Sequence, residues 1–125
     1  KADWADDVGS ITTNGTTTTY STSSDEALKQ DIEDFGDPWP MLEAMRPRWF
    51  RFKKDVKKNG DKAERQMGFI AQELYEAAPQ MVTGTPDRDL EKDGPMGVDL
   101  SKGVPAVVAG LLDLQKRLLV LENAA

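Results

Sequence analysis

Ser24 and Lys29 are two residues of this sequence whose types and spacing could do chemistry. The chain has 125 residues and neither His nor Cys, so it lacks the usual catalytic base and the thiolate nucleophile. A serine nucleophile can then use a lysine as its base. Lysine accepts a proton only when neutral, so its pKa would have to fall from about 10.4 towards roughly 7–8. The predicted reaction is cleavage of a peptide bond.

The same stretch has a purely structural interpretation. Ser followed three residues later by Glu has capping-box spacing and predicts a helix over 25–35, with an apolar stripe formed by Leu28, Ile32 and Phe35. On one helix, Ser24 and Lys29 would point roughly 140° apart, so contact requires Ser24 to be the N-cap or the lysine to come from a neighbouring subunit. Free N–H groups of residues 25–27 could hold a developing oxyanion beside the Ser23–Ser24 bond. On these residues alone, a cap and a solvated lysine are the simpler interpretation.

Composition and charge argue against several function classes. Sixteen Lys and Arg against 22 Asp and Glu give a net charge of −6, so nucleic acid is not an expected partner. No apolar run approaches membrane-spanning length, so no membrane partner is expected. Without His and Cys, we expect no metal site and no cofactor. With 38% hydrophobic residues and no disulfides, the chain can build only a modest core, which predicts stabilisation by oligomerisation.

The first 23 residues differ in composition from the rest. They are rich in Thr and Ser, and Asn14-Gly15 is a strong hairpin signal. Their few large apolar residues are Trp4, Val8, Ile11 and Tyr20. Such strands cannot bury a face alone, so we interpret residues 1–23 as the end of a fibrous β-stem whose core is shared between chains. A flexible linker is the alternative.

The middle of the chain predicts short elements. They are helices over 39–45 and 72–78, a strand over 48–54 that returns over 65–71, a short strand over 80–82, and a polar excursion over 83–97.

The sequence from Ser101 onwards predicts a long helix with a heptad seam. Pro105 is compatible with this because it falls in the first turn. Six apolar residues with spacings of 3, 4, 3, 4 and 3 alternate at the a and d positions: Val104, Val107, Leu111, Leu114, Leu118 and Leu121. Further apolar residues widen this face: Val108, Leu112, Leu119 and Val120. The width fits a core helix, or a helix that packs both on its own domain and on partner helices, and we predict the second.

Four stretches together resemble the C-terminal intramolecular chaperone and auto-processing domain of phage tailspikes, tail fibres and neck appendages of the endosialidase type. In chain order they are VGSITTNGTTTTYSTSSDEALK, FRFKKD, MGFIAQELYEAAPQMV and VDLSKGVPAVVAGLLDLQ, which cover nearly the whole chain. The resemblance implies an α+β fold, with short strands and helices packed on the long C-terminal helix. It also implies a homotrimer with a central helical coiled coil behind an N-terminal β-stem.

The resemblance further implies that the domain helps the three chains of the upstream fibre, its client, to assemble and then cuts itself off. Carried over, Ser24 is the nucleophile, Lys29 the base and Ser23–Ser24 the scissile bond. The chain would divide into 1–23, the end of the fibre stem, and 24–125, the chaperone. Assembly would occur in the bacterial host cytoplasm, and the upstream product would stay on the virion tail or neck.

The sequence departs from the family pattern at Ala27, where many relatives have Arg, and slow cleavage would be one consequence. Gln72 and Asp99 match family motif positions that we interpret as scaffold. The excursion over 83–97 lies where relatives carry arms that touch the folding fibre, and a solvated loop is its alternative. Two further functional interpretations remain: a non-cleaving trimeric fibre tip, and a receptor-binding tip that uses the polar loop and the Trp residues.

Overall fold

A computed structural model describes residues 8–124, and the chain divides into two compact units, residues 1–34 and 35–125. The first seven residues of the predicted stem, including Trp4, and the last residue of the predicted helix lie outside the described residues. The described fold is mixed α/β, with short strands and a long C-terminal helix. Among the described residues, no helix is both long and apolar enough to cross a membrane.

The first unit contains an antiparallel hairpin. Strand β1 (Gly9–Thr13) pairs with β2 (Thr18–Thr22), so the predicted hairpin at Asn14-Gly15 is confirmed, with four residues in its loop. The Asn14 side-chain oxygen accepts the N–H groups of the two Thr residues that follow Gly15, at 3.0 and 2.8 Å. Every residue of both strands is exposed, including Ile11 at 72% and Tyr20 at 77%. A single exposed hairpin is at best marginally stable alone.

The predicted helix over 25–35 is wrong. Only a 3₁₀ turn forms, over Glu26–Leu28, and the Asp25 carboxylate caps it by accepting the N–H of Ala27 at 2.8 Å. The chain is extended directly after this turn, and Asp31 has a φ of 54°, a left-handed conformation that a right-handed helix cannot contain. A longer helix would gain no stability from packing, because the expected apolar stripe is exposed: Leu28, Ile32 and Phe35.

The second unit has two further strand pairs. They are β3 (Arg48–Phe50) with β4 (Gln66–Gly68), and β5 (Val82–Thr83) with β6 (Gly97–Val98), all antiparallel. The first pair confirms the predicted return strand, although both strands are shorter than predicted. The second pair closes the polar excursion, so that its two ends are joined at the sheet.

The helices of the second unit are α1 (Trp39–Ala44), α2 (Lys53–Asn59), α3 (Ala71–Ala77), α4 (Leu90–Asp93) and α5 (Val104–Ala124). Helices α1, α3 and α5 confirm predictions. Helix α2 replaces the end of the predicted strand over 48–54. It contains no buried residue, so the sequence has no apolar period there from which a helix could be predicted.

The core of the second unit is small. Leu74, Ala78 and Met81 are buried together, and partly buried residues from α1, β5 and β6 pack around them. Helix α5 joins this unit through small and polar residues. Ala106 is fully buried, and a Cβ added at Gly110 would meet Leu42 Cδ1 at 2.5 Å. A larger residue at position 110 would therefore force the Leu42 side chain to shift.

Candidate functional site

The predicted nucleophile and base lie in contact within one chain. Lys29 Nζ donates a hydrogen bond to Ser24 Oγ at 2.6 Å. Both residues are exposed, so water reaches the pair directly. The structure thus brings together the two side chains that sequence reasoning singled out, in a geometry that permits proton transfer between them.

The 3₁₀ turn creates this contact. Because Asp25 is the N-cap, the Ser24 hydroxyl is not used for capping and accepts the lysine instead. The turn closes when the backbone N–H of Lys29 donates to Glu26 O at 3.0 Å. Sequence reasoning placed the cap at Ser24, yet Asp is as good an N-cap as Ser, and this signal was present in the sequence.

The Ser23–Ser24 bond lies between the hairpin and the turn. The N–H of Ser23 donates to Val8 O at 3.0 Å, directly after the last residue of β2. A surface cleft of about 390 Å³ opens beside the bond, and Ala27 and Leu28 form part of its lining. The bond is therefore open to solvent and borders a space that a neighbouring group can enter.

Of the three backbone N–H groups predicted to hold an oxyanion, those of residues 25–27, one is already used in a hydrogen bond. The N–H of Ala27 is taken by the Asp25 carboxylate. Among the described residues, the N–H groups of Asp25 and Glu26 donate no hydrogen bond.

The predicted seam residues share one face of α5 and are 42–67% exposed: Val104, Val107, Leu111, Leu114, Leu118 and Leu121. They lie away from Ala106, which faces the domain. Val108, Leu112 and Leu119 extend the same face, so that large apolar side chains cover roughly half of the helix circumference, whereas Val120 lies on the opposite side. An ordinary amphipathic helix packs its large apolar residues on its own domain. Here the residues that contact the domain are small or polar, and the large apolar ones are exposed.

Polar contacts fasten α5 to α1. Trp39 Nε1 donates to Asp113 Oδ2 at 2.5 Å, and Arg117 Nε lies 3.0 Å from the same oxygen. The Arg117 guanidinium also stacks 5.6 Å from the centre of the Trp39 ring. These contacts fix which side of α5 faces its own domain.

The motif residue Asp99 caps the turn that leads into α5. Its carboxylate accepts the Ser101 hydroxyl at 2.6 Å and the Ser101 N–H at 3.1 Å, and these bonds hold the pKa of Asp99 below its usual value. This geometry fits the scaffold interpretation. Gln72 lies on the exposed side of α3.

Sequence reasoning missed an ion pair between β3 and α3. Arg48 reaches both carboxylate oxygens of Glu73, at 2.6 and 3.1 Å, and this hydrogen bonding lowers the pKa of Glu73. Arg46 also lies 3.7 Å from Glu73. Residues 25 positions apart in the sequence give no local signal of such a pairing. Within residues 8–124, no cluster of three potential metal ligands occurs.

A comparison of the sequence with models of known protein families found a match. The family model described as chaperone of endosialidase, whose name classes it as a peptidase, matches residues 24–83. The match starts at Ser24 and extends through β5. A search of curated proteins found no match.

Proposed function

Because residues 24–83 of this chain belong to the chaperone-of-endosialidase family, we propose that the chain is an intramolecular chaperone that releases itself from its client by self-cleavage. The family supports the chaperone role and a phage tail fibre context, and its name suggests a self-cleaving peptidase. In the finer proposal, the domain drives trimerisation and folding of an upstream fibre or tailspike and then cuts the Ser23–Ser24 bond. The contact of 2.6 Å between Lys29 Nζ and Ser24 Oγ carries this proposal.

The reaction begins when neutral Lys29 Nζ takes the proton of Ser24 Oγ. The oxygen attacks the carbonyl carbon of Ser23, the peptide C–N bond breaks, and Lys29 returns the proton to the departing Ser24 nitrogen. The Ser23 acyl group is then an ester on Ser24 Oγ. Water hydrolyses this ester to a Ser23 carboxylate and a free Ser24 hydroxyl. Attack on the carbonyl of a neighbouring chain is the alternative route.

This reaction would divide the chain into residues 1–23, the end of the fibre stem, and residues 24–125, the chaperone. The start of the family match at Ser24 supports the division. The enzyme acts once, because its substrate is its own upstream segment. We place the event in the bacterial host cytoplasm during virion assembly, with the upstream product on the virion tail or neck.

The proposed trimer rests on α5. Its exposed apolar face needs a partner, since a chain with so small a core gains most from burying such a surface. Heptad spacing lets three copies pack these faces around one axis as a coiled coil. The polar contacts of Trp39 and Asp113 keep the opposite side of α5 on its own domain.

The hairpin supports the stem proposal in the same way. Strands β1 and β2 have no buried residue, and their Thr-rich faces bury little apolar area alone. Three copies that wrap around a shared axis would give these strands a common core.

The decisive experiment is intact mass measurement and N-terminal sequencing after expression of the chain with its upstream fibre. We expect a new N-terminus that reads Ser-Asp-Glu-Ala-Leu-Lys. Ser24→Ala and Lys29→Ala should each abolish the cut and leave the trimer intact. Ser21→Ala and Lys102→Ala are matched controls, because both side chains are exposed and lie outside the proposed site.

Mixing tests whether the dyad forms within one chain or between chains. Chains with Ser24→Ala and chains with Lys29→Ala, refolded together, should stay uncut, since each site uses Ser24 and Lys29 of one chain. Cleavage in the mixture would mean that the dyad forms between chains. An uncut, stable wild-type trimer would favour the fibre-tip interpretation and remove the protease role.

A further inference from the structure

Charge is distributed unevenly along this acidic chain. Residues 51–65 carry seven basic side chains against three acidic ones, a net charge of +4, although the whole chain has −6. The seven are all exposed: Arg51, Lys53, Lys54, Lys57, Lys58, Lys62 and Arg65. None of them forms an ion pair within the part of the chain that the structure describes. We call these residues the basic surface.

Exposed apolar side chains adjoin the basic surface. Trp49 on β3 and Met67 on β4 are cross-strand partners, and they are 61% and 76% exposed. The Arg65 guanidinium lies 5.7 Å from the centre of the Trp49 ring. A cleft of about 380 Å³ is lined by Trp49, Arg51 and Arg65, among other residues. The surface can therefore accept an apolar side chain and negative charge side by side.

The segment 31–37, which we call the acidic segment, has the complementary composition. Its sequence DIEDFGD contains four acidic residues and no basic one, a net charge of −4. It has no helix or strand, and all seven residues are exposed. Its two large apolar side chains, Ile32 and Phe35, are 66% and 49% exposed. Across the described residues, its carboxylates form no ion pair.

We propose that the acidic segment of one copy docks on the basic surface of a second copy in the assembled oligomer. Three observations identify this occupant: equal and opposite charges, apolar side chains on both partners, and stoichiometry, since every copy supplies one of each. Ile32 or Phe35 would enter the cleft beside Trp49, while the carboxylates meet the unpaired Lys and Arg side chains. The inference rests on the proposed trimer but not on self-cleavage.

The test uses chains with Ser24→Ala, so that cleavage plays no part. One variant reverses the acidic segment (Asp31→Lys, Glu33→Lys, Asp34→Lys), and the other reverses the basic surface (Arg51→Glu, Lys53→Glu, Arg65→Glu). Analytical ultracentrifugation across a dilution series measures assembly. We expect each variant to dissociate at a protein concentration at least tenfold higher than the parent does. We also expect the association of the parent chains to weaken as NaCl rises from 50 to 500 mM.

Mixing the two variants decides between a contact in one chain and a contact between copies. In a mixed trimer, two of the three contacts join an acid-reversed and a base-reversed chain and become attractive, while the third joins identical chains and stays repulsive, so the mixture should recover mixed oligomers in part. A contact within each chain would stay repulsive on mixing, and failure to recover would overturn the proposal. A control with Lys92→Glu and Lys102→Glu changes charge outside both surfaces and should assemble as the parent does.

A fluorescent peptide of residues 30–38 covers the case in which reversal disturbs folding. It should bind the acid-reversed chain, whose basic surface is intact, and Trp49→Ala in that chain should weaken binding at least fivefold. A parent that assembles normally, with unchanged assembly in both reversed chains, would overturn the docking proposal while leaving the trimer in place. A monomeric parent would instead overturn both. If the parent binds DNA, and base reversal abolishes that binding but leaves assembly unchanged, the basic surface is a polyanion site and the proposal is overturned.

Discussion

The Asp25 carboxylate accepts the backbone N–H of Ala27 at 2.8 Å, and this bond holds the turn that carries Lys29 back to Ser24. A side chain outside the proposed dyad thus sets the geometry of Ser24 and Lys29. Asp25 is therefore expected to be a positioning residue for the proposed reaction.

We predict that Asp25→Ala slows cleavage roughly two- to thirtyfold, the effect of losing an N-cap worth about 0.5–2 kcal/mol. Asp25→Asn should cleave at nearly the wild-type rate, because Asn caps as well as Asp does. The measurement is the rate of product appearance by mass spectrometry after refolding. Equal loss in Asn and Ala variants would show that the charge, and not the cap, matters.

We predict that Lys29→Arg is as inactive as Lys29→Ala, with cleavage reduced at least about 100-fold. Arginine keeps the positive charge and can still donate to Ser24, but it does not lose its proton in proteins. Gel analysis of the cut after assembly measures this, with Lys102→Ala as the control. An active Arg variant would mean that Lys29 only positions the serine and that another base acts.

We predict that Ala27→Arg speeds cleavage severalfold. Ala27 lines the cleft beside Ser24, and a cation there favours the neutral form of a neighbouring amine. Ala27→Met adds comparable length without charge and should leave the rate nearly unchanged. Acceleration in the Met variant as well would assign the effect to packing.

We predict that Leu111→Asp converts the proposed trimer into monomers while the helix content of each chain persists. A carboxylate in the apolar face of α5 would be buried between copies, whereas the same side chain is solvated in the monomer. Sedimentation velocity and circular dichroism measure the two effects. Lys116→Asp, on α5 but off the seam, should remain trimeric, and a trimeric Leu111 variant would exclude this face as the interface.

We predict that the Arg48–Glu73 pair makes stability depend on pH. Hydrogen bonding to Arg48 lowers the pKa of Glu73 in the folded state, so the pair stabilises the fold above the unfolded-state pKa, near 4.3. That contribution is lost as pH falls through the folded-state pKa. Thermal unfolding of wild type and Glu73→Gln should differ at pH 7 and converge near pH 2. A constant difference at every pH would mean that the glutamine acts through packing.

The sequence predicts those parts of the fold whose signal is local. The hairpin follows from Asn14-Gly15, and α5 follows from its apolar period. The two errors have one cause. Residues 25–35 show an apolar stripe that no partner among the described residues covers, and α2 forms without burying any residue. Apolar periodicity predicts a helix correctly only where the apolar face is buried in the fold.

Residue types and the family resemblance identified Ser24 and Lys29 as the candidate pair, but they did not predict how the two side chains come into contact. The expected helix allowed the contact only with Ser24 as its N-cap, whereas in the structure Asp25 is the cap and the turn ends before Lys29, which reaches back to Ser24. The ion pair of Arg48 and Glu73 had no signal in the sequence, because it depends on how β3 and α3 pack.

The backbone around Ser23 has a consequence for what a cut would change. Ser23 donates its N–H to Val8, whereas the N–H of Ser24 donates to no group among the described residues. Within residues 8–124, the N–H of the bond between them therefore contributes no rung to the hairpin ladder. Cutting there would alter connectivity alone. A severed stem would keep the hairpin hydrogen bonds of its described residues, and only the route by which they formed would be gone.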